Sequence, residues 1–133
     1  MHLTQRELPT LETKTKSILL VDDHRDTLGF MQLFLETKGY RVFTATTAGE
    51  ALSLLQACQP HVAVLDLGLP GSIPGEALAR RLQQRLPEIR LLALSGSIRY
   101  EDAERLQSVG FAACLAKPVE LEEFLHVVEK YTE

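Results

Sequence analysis

Ile18-Leu19-Leu20-Val21-Asp22-Asp23 decides how the chain is read. Four aliphatic residues run without a polar break and stop abruptly at two acids. An unbroken apolar run of this kind suits a parallel strand covered on both faces, whereas a half-solvated strand would alternate. Such a strand leaves the core at its C-terminal end and delivers the two carboxylates to a rim.

The motif recurs outward along the chain. Val62–Leu65 and Arg90–Leu94 are again nearly continuous in aliphatic residues, and Arg41–Ala45 and Ala112–Ala116 complete a set of five predicted strands. Helical patterns separate them. The first runs from about Asp26 to Lys38, with Gly39 as its stop. The second opens on Thr47-Ala-Gly-Glu50, a capping-box pattern, and ends before Pro60. The third lies between Pro74 and Pro87, and the fourth spans about Tyr100 to Ser108 with Gly110 beyond it. The last carries Leu121, Phe124, Leu125 and Val128 at i, i+3, i+4 and i+7, an amphipathic stripe. Residues 1–16 are polar and show no apolar period, so they read as a flexible tail or linker ahead of a domain at 17–133.

Five βα units in succession imply an α/β fold: a doubly wound, five-stranded parallel sheet with helices on both faces. The flavodoxin-like order 2-1-3-4-5 fits, and it puts a site beyond the C-terminal strand ends.

Composition narrows the class. The 133 residues fit one domain, 45% hydrophobic and 24% charged, with a formal net charge of -4 that argues against a DNA-binding surface. No apolar run approaches a membrane span, and the first residues lack a signal-peptide core, so a cytoplasmic location is expected. Cys58 and Cys114 lack metal-ligand spacing and read as buried thiols.

The strand ends carry the chemistry. Strand 1 ends in Asp22-Asp23, strand 3 in Asp66, strand 4 in Ser95-Gly96 and strand 5 in Lys117-Pro118. In the order 2-1-3-4-5 these converge as three carboxylates, one hydroxyl and one ammonium. Clustered carboxylates repel unless a cation sits among them, and oxygen ligands suit Mg2+. A carboxylate is also a competent nucleophile toward a phosphoryl group, giving an aspartyl phosphate. Phosphoryl transfer needs mainly alignment and counter-charge, which Mg2+ and Lys117 would supply, with Ser95 donating a hydrogen bond. Beside the acids, His24 reads as an exposed loop histidine rather than an acid–base group. His61 and His126 read as structural or solvated. Phe30, Met31 and Phe34 read as the core face of the first helix, and Arg80, Arg81 and Arg85 as a solvated face of the third.

Residues 18–23, Val-Leu-Asp-Leu-Gly-Leu-Pro at 64–70, Ala-Leu-Ser-Gly at 93–96 and Leu-Ala-Lys-Pro at 115–118 resemble a response-regulator receiver domain of two-component signalling. The resemblance covers about residues 17 to 131 and is similar in wording to receivers associated with hybrid sensor histidine kinases. It implies that Asp66 is the phosphoacceptor, served by a histidine kinase or a histidine phosphotransfer protein. It implies Mg2+ held by Asp23, Asp66 and the Gly68 backbone carbonyl, with Asp22 in the acidic pair. Ser95 takes the hydroxyl position that reports phosphorylation, Lys117 the lysine position, and a cis peptide precedes Pro118.

Three features depart from the family pattern. Cys114 stands where receivers usually carry a switch aromatic, which implies a muted switch. The loop from Asp66 to Gly75 is one residue longer through Gly71-Ser72-Ile73-Pro74. Gly68 and Ser97 are small where the family tunes dephosphorylation. With little chain after the fifth helix, output is expected through a partner or an upstream effector domain. The family's output face (fourth helix, fifth strand and fifth helix) would display Arg99, Glu101, Asp102, Arg105, Glu122 and Val127. Two other functions compete. A pseudo-receiver would bind partners without being phosphorylated. A Mg2+-dependent aspartyl-phosphate phosphohydrolase of the haloacid-dehalogenase type would want Asp-x-Asp spacing and a cap, neither of which the sequence offers.

Overall fold

The computed structural model describes residues 16–68, 74–96 and 102–133. Strands β1 (Ser17–Val21), β2 (Arg41–Ala45), β3 (Val62–Asp66), β4 (Arg90–Ser95) and β5 (Phe111–Ala116) alternate with helices α1 (Arg25–Thr37), α2 (Ala48–Leu54), α3 (Gly75–Arg85), α4 (Asp102–Val109) and α5 (Leu121–Tyr131). The strands form one parallel sheet in the order β2-β1-β3-β4-β5, as expected. The expected tail, the inserted residues 71–73 and Ser97 lie outside the described residues.

The continuous apolar runs have a two-sided explanation. Ile18, Leu20, Val62, Val64, Leu92 and Leu94 pack on one face against Leu28, Met31 and Leu35 of α1 and Phe124 and Val128 of α5. Leu19, Val21, Ala63, Leu65, Leu91 and Ala93 pack on the other against Ala48 and Ala51 of α2, Leu78 and Leu82 of α3, and Leu106 and Val109 of α4. Every residue of β1 and β3 is buried. Phe124 has no exposure, so truncating it to alanine would cost about 3–5 kcal/mol.

Local signals set the helix ends. Glu50 donates its N–H to the Thr47 side chain at 3.1 Å. Its carboxylate reaches one residue further back than an ordinary capping box, accepting from the Thr46 N–H at 2.7 Å. This closes the first turn of α2, and loss of such a cap costs about 1 kcal/mol. Gly39 and Gly110, at φ +96 and +115, follow α1 and α4. Both adopt the left-handed backbone that favours glycine after a helix.

The edge strand β5 differs from the expected Ala112–Ala116. It begins at Phe111 and slips in register: Leu91 pairs with Phe111, but Leu92 pairs with Ala113. The extra residue, Ala112, reverses the side-chain phase, as a bulge does. Phe111 and Cys114 therefore share the α3–α4 face, whereas simple alternation would put them on opposite sides.

Several assignments made from sequence change. Phe30 is not core; it is 66% exposed, while Met31 beside it is buried. The stripe expected to carry all three residues is rotated so that Leu28, Met31 and Leu35 face the sheet. Cys58 and Cys114 are half-buried rather than buried. Cys58 donates its thiol to the Leu54 carbonyl, one helical turn back, at 3.1 Å. Arg80, Arg81 and Arg85 are exposed, as read.

Candidate phosphoacceptor and cation site

Parallel strands with adjacent ends bring the expected residues to one rim. Asp22 follows β1 and is tied to the sheet by its N–H, which donates to the Ala45 carbonyl at 3.1 Å. Asp66 is the last residue of β3 and is 4% exposed. Its neighbour Leu67 donates to the Leu94 carbonyl at 2.9 Å, which locks the end of β3 to β4. The Lys117 N–H donates to the Ser95 carbonyl at 2.9 Å, which does the same for β4 and β5. The peptide between Lys117 and Pro118 is cis, as the resemblance implied.

The side chains then meet. The Lys117 ammonium lies 3.0 Å from Oδ2 of Asp66 and 3.1 Å from Oδ2 of Asp22. Oδ1 of Asp66 accepts the Gly68 N–H at 3.0 Å. Asp22 is wholly buried, and its Oδ2 makes no aligned hydrogen bond, so the contact with Lys117 is an electrostatic one. Burial pushes the Asp22 carboxyl up. Hydrogen bonds from the His24 backbone and ring, and the Lys117 ammonium, outweigh it and hold the group below the usual carboxylate range. Burial likewise works against the charged form of Lys117, but Asp66 and then Asp22 hold its ammonium above the usual lysine range.

Asp22, Asp23, His24 and Asp66 each offer a ligand atom, all within 4.8 Å of one another. Three carboxylates face one ammonium, so the rim keeps surplus negative charge at a spot lined by oxygen donors. The donor set and the buried Asp22 oxygen without a hydrogen bond fit a hard divalent cation. Gly68 stands at the border of the cluster, and a Cβ there would come within 3.6 Å of Asp66 Oδ1. Ser95, at the end of β4, is half-buried beside Asp66's strand.

Two residues matter more here than their sequence context suggests. His24 is exposed, as expected, but its Nδ1 faces the acids at 3.0 Å from Asp22 Oδ1 and 3.2 Å from Asp23 Oδ1. Gly75 opens α3 so close to β3 that a Cβ would meet the Asp66 carbonyl oxygen at 2.8 Å and the Leu67 Cα at 3.0 Å. The only sequence signal for Gly75 was a glycine at a helix start.

Away from the rim, Cys114 packs partly against the α3–α4 side of the core. Burial, then the charge of Asp102, pushes its thiol up. On the expected output face, Arg105 is engaged by Glu76 of α3 at 3.3 Å and by Asp102 at 3.4 Å. Val127 is partly buried, Glu122 is exposed, and Arg99 and Glu101 lie outside the described residues. A groove of about 640 Å³ runs from His24 and Lys117 along Thr27, Phe30 and Met31, facing Val119 and Leu121. Among the described residues no helix is long and apolar enough to cross a membrane.

Known proteins share this fold. Residues 18–129 match the response regulator receiver domain family. An uncharacterized 14.6 kDa protein of Leptolyngbya boryana is 36% identical over 117 residues, covering 86% of this chain and 88% of that protein. The polar-differentiation response regulator DivK of Brucella ovis is 25% identical, covering 88% and 96%. A CheY-like receiver domain protein from Methanospirillum hungatei superposes with a TM-score of 0.81 at 29% identity, covering 90% and 95%. A Burkholderia pseudomallei response regulator, solved with a phosphorylated aspartic acid, a calcium ion and citrate, gives 0.75 at 33%, covering 83% and 64%. With its acidic rim on a 2-1-3-4-5 sheet and the family match over most of its length, this chain belongs to the response regulator receiver domain family of two-component signalling.

Proposed function

We propose that the chain is a phosphoacceptor: Asp66 takes a phosphoryl group from a phosphohistidine with Mg2+, and the modified domain changes its binding to an effector. The observation that carries this reading is the placement of Asp66, buried at the end of β3 with its Oδ2 against the Lys117 ammonium and Asp22 and Asp23 alongside. The phosphorylated aspartate in the Burkholderia protein supports it.

The chemistry follows from the contacts. A lone pair on an Asp66 carboxylate oxygen forms the new P–O bond. The P–N bond of the donor breaks, and its electron pair stays on the imidazole nitrogen. Charge spreads over the equatorial phosphoryl oxygens, where the Lys117 ammonium is already in reach and the Ser95 hydroxyl donates. Asp23, Asp66 and the Gly68 carbonyl, beside Asp22, would hold Mg2+, which would supply further counter-charge there. The donor is a histidine kinase or a histidine phosphotransfer protein, for which the groove past Phe30 offers an apolar approach to the rim. Such a partner places the domain in the cytoplasm.

Incubation with Mg2+ and a small phosphodonor, followed by intact mass, tests the proposal. The native chain gains one phosphoryl group, and Asp66→Asn, which keeps shape and fold, gains none. A folded native chain that gains nothing supports the pseudo-receiver reading instead. A phosphoryl group that turns over rapidly, releasing phosphate catalytically, supports the phosphohydrolase.

A further inference from the structure

We propose that His24 is a ligand of the divalent-cation site, making it a mixed nitrogen–oxygen site that favours first-row transition ions over Mg2+. The location of the ion rests on the function proposed above; the nitrogen donor is read from His24 itself.

His24 is the N-cap residue of α1, yet its side chain makes no capping hydrogen bond. The ring turns instead to the acids, with Nδ1 3.0 Å from Asp22 Oδ1 and 3.2 Å from Asp23 Oδ1. One ring N–H cannot align well with two carboxylate oxygens at once, whereas a cation between them satisfies both oxygens and the nitrogen lone pair. The backbone is anchored for this purpose, because the His24 N–H donates to Asp22 Oδ1 at 2.9 Å. In the ion-free chain Nδ1 carries the proton that bonds Asp22 Oδ1; a bound cation would take the place of that proton, and Nε2, on a side chain 66% exposed, would hold the remaining ring proton toward solvent.

A second observation points to the same ion. Asp22 Oδ2 is buried and without a hydrogen bond, so the cluster retains an oxygen whose charge only Lys117 offsets. Mg2+ prefers an all-oxygen octahedron with retained waters. Imidazole is a better donor to later first-row ions, whose affinities for such sites rise from Mn2+ toward Cu2+. Among the described residues, His24 is the one histidine placed with the three carboxylates.

The test uses the metals alone on the purified chain. Mn2+ bound to the native protein should show nitrogen hyperfine coupling in pulsed electron paramagnetic resonance, altered by heavy-nitrogen histidine labelling. In His24→Asn, which keeps an N-cap residue and an oxygen donor, the coupling should vanish. The preference for Zn2+ over Mg2+ should then fall by about tenfold or more, the scale on which ligand-sphere changes act. Labelling of the native chain keeps the test decisive if the variant folds poorly. Mn2+ binding at the rim without nitrogen coupling overturns the inference while leaving the cation site intact. Failure to bind any divalent ion, together with no phosphoryl gain at Asp66, overturns both this inference and the function beneath it.

Discussion

The Lys117 ammonium stands 3.0 Å from Oδ2 of Asp66 and shares its charge with Asp22 Oδ2 at 3.1 Å. One cation just past β5 thereby holds together carboxylates at the ends of β1 and β3. Because Lys117 sits between two buried acids, its removal leaves repulsion that the His24 hydrogen bonds to Asp22 offset only in part.

Lys117→Ala should raise the Asp22 carboxyl above its native titration point. Burial still opposes ionisation, and an opposing attraction is gone. In the native chain Asp22 titrates low, so its stabilisation holds above the ordinary carboxylate range and is lost as pH falls through the lowered native value. Lys117 titrates high, so its stabilisation holds below the ordinary lysine range and is lost as pH rises through the raised native value. The variant should lose that alkaline dependence. Carboxyl NMR in chelator and denaturation midpoints across pH check this, and an unmoved Asp22 would refute it.

Gly75→Ala should slow phosphorylation of Asp66 by a small donor and destabilise the fold by about 1–3 kcal/mol, the usual range for forced overpacking. The new Cβ would press on the backbone of Asp66 and Leu67, which has no flexible end to yield. Stability is read by urea denaturation and transfer by the rate at saturating donor. An unchanged rate in a destabilised variant would assign Gly75 to packing alone.

Cys114→Tyr should strengthen the response of partner binding to phosphorylation. The native thiol is partly buried against the α3–α4 side of the core and cannot sweep the volume of a ring. The native coupling should be about 1 kcal/mol, at the low end for allosteric sites. Partner affinity or self-association, with and without a phosphoryl mimic, measures it. A large native response that tyrosine leaves unchanged would remove residue 114 from the switch.

Phe30→Ser should weaken transfer from a phosphohistidine protein while sparing transfer from a small phosphodonor. Phe30 is 66% exposed and lines the groove leading to Lys117, so its role is contact rather than core. Exposed aromatic anchors of this kind cost about 1–2 kcal/mol or more when truncated at an interface. Parallel rates with the two donors separate contact from chemistry; equal losses with both would show that Phe30 supports the site itself.

The sequence alone determined the sheet, its order and the acids, hydroxyl and lysine at its rim. Unbroken runs such as Ile18–Val21 are buried on both faces and so announce parallel strands, and polar residues at strand ends must emerge where the strands do. What needed the tertiary structure was rotation, phase and approach. The helical period of α1 admitted Phe30 on either side of the stripe, and only the packing of Met31 and Leu35 on the sheet turned it to solvent. The bulge at Ala112 reset the faces of β5, and no propensity in Phe111–Ala116 marks a slip that arises from pairing with Leu91 and Leu92. His24 and Gly75 gained their places from distances between segments far apart in the chain or turned on one another at a helix start. Those distances depend on how closely α1 and α3 settle on the sheet, a property of the packed core that the pattern of residues along the chain does not record.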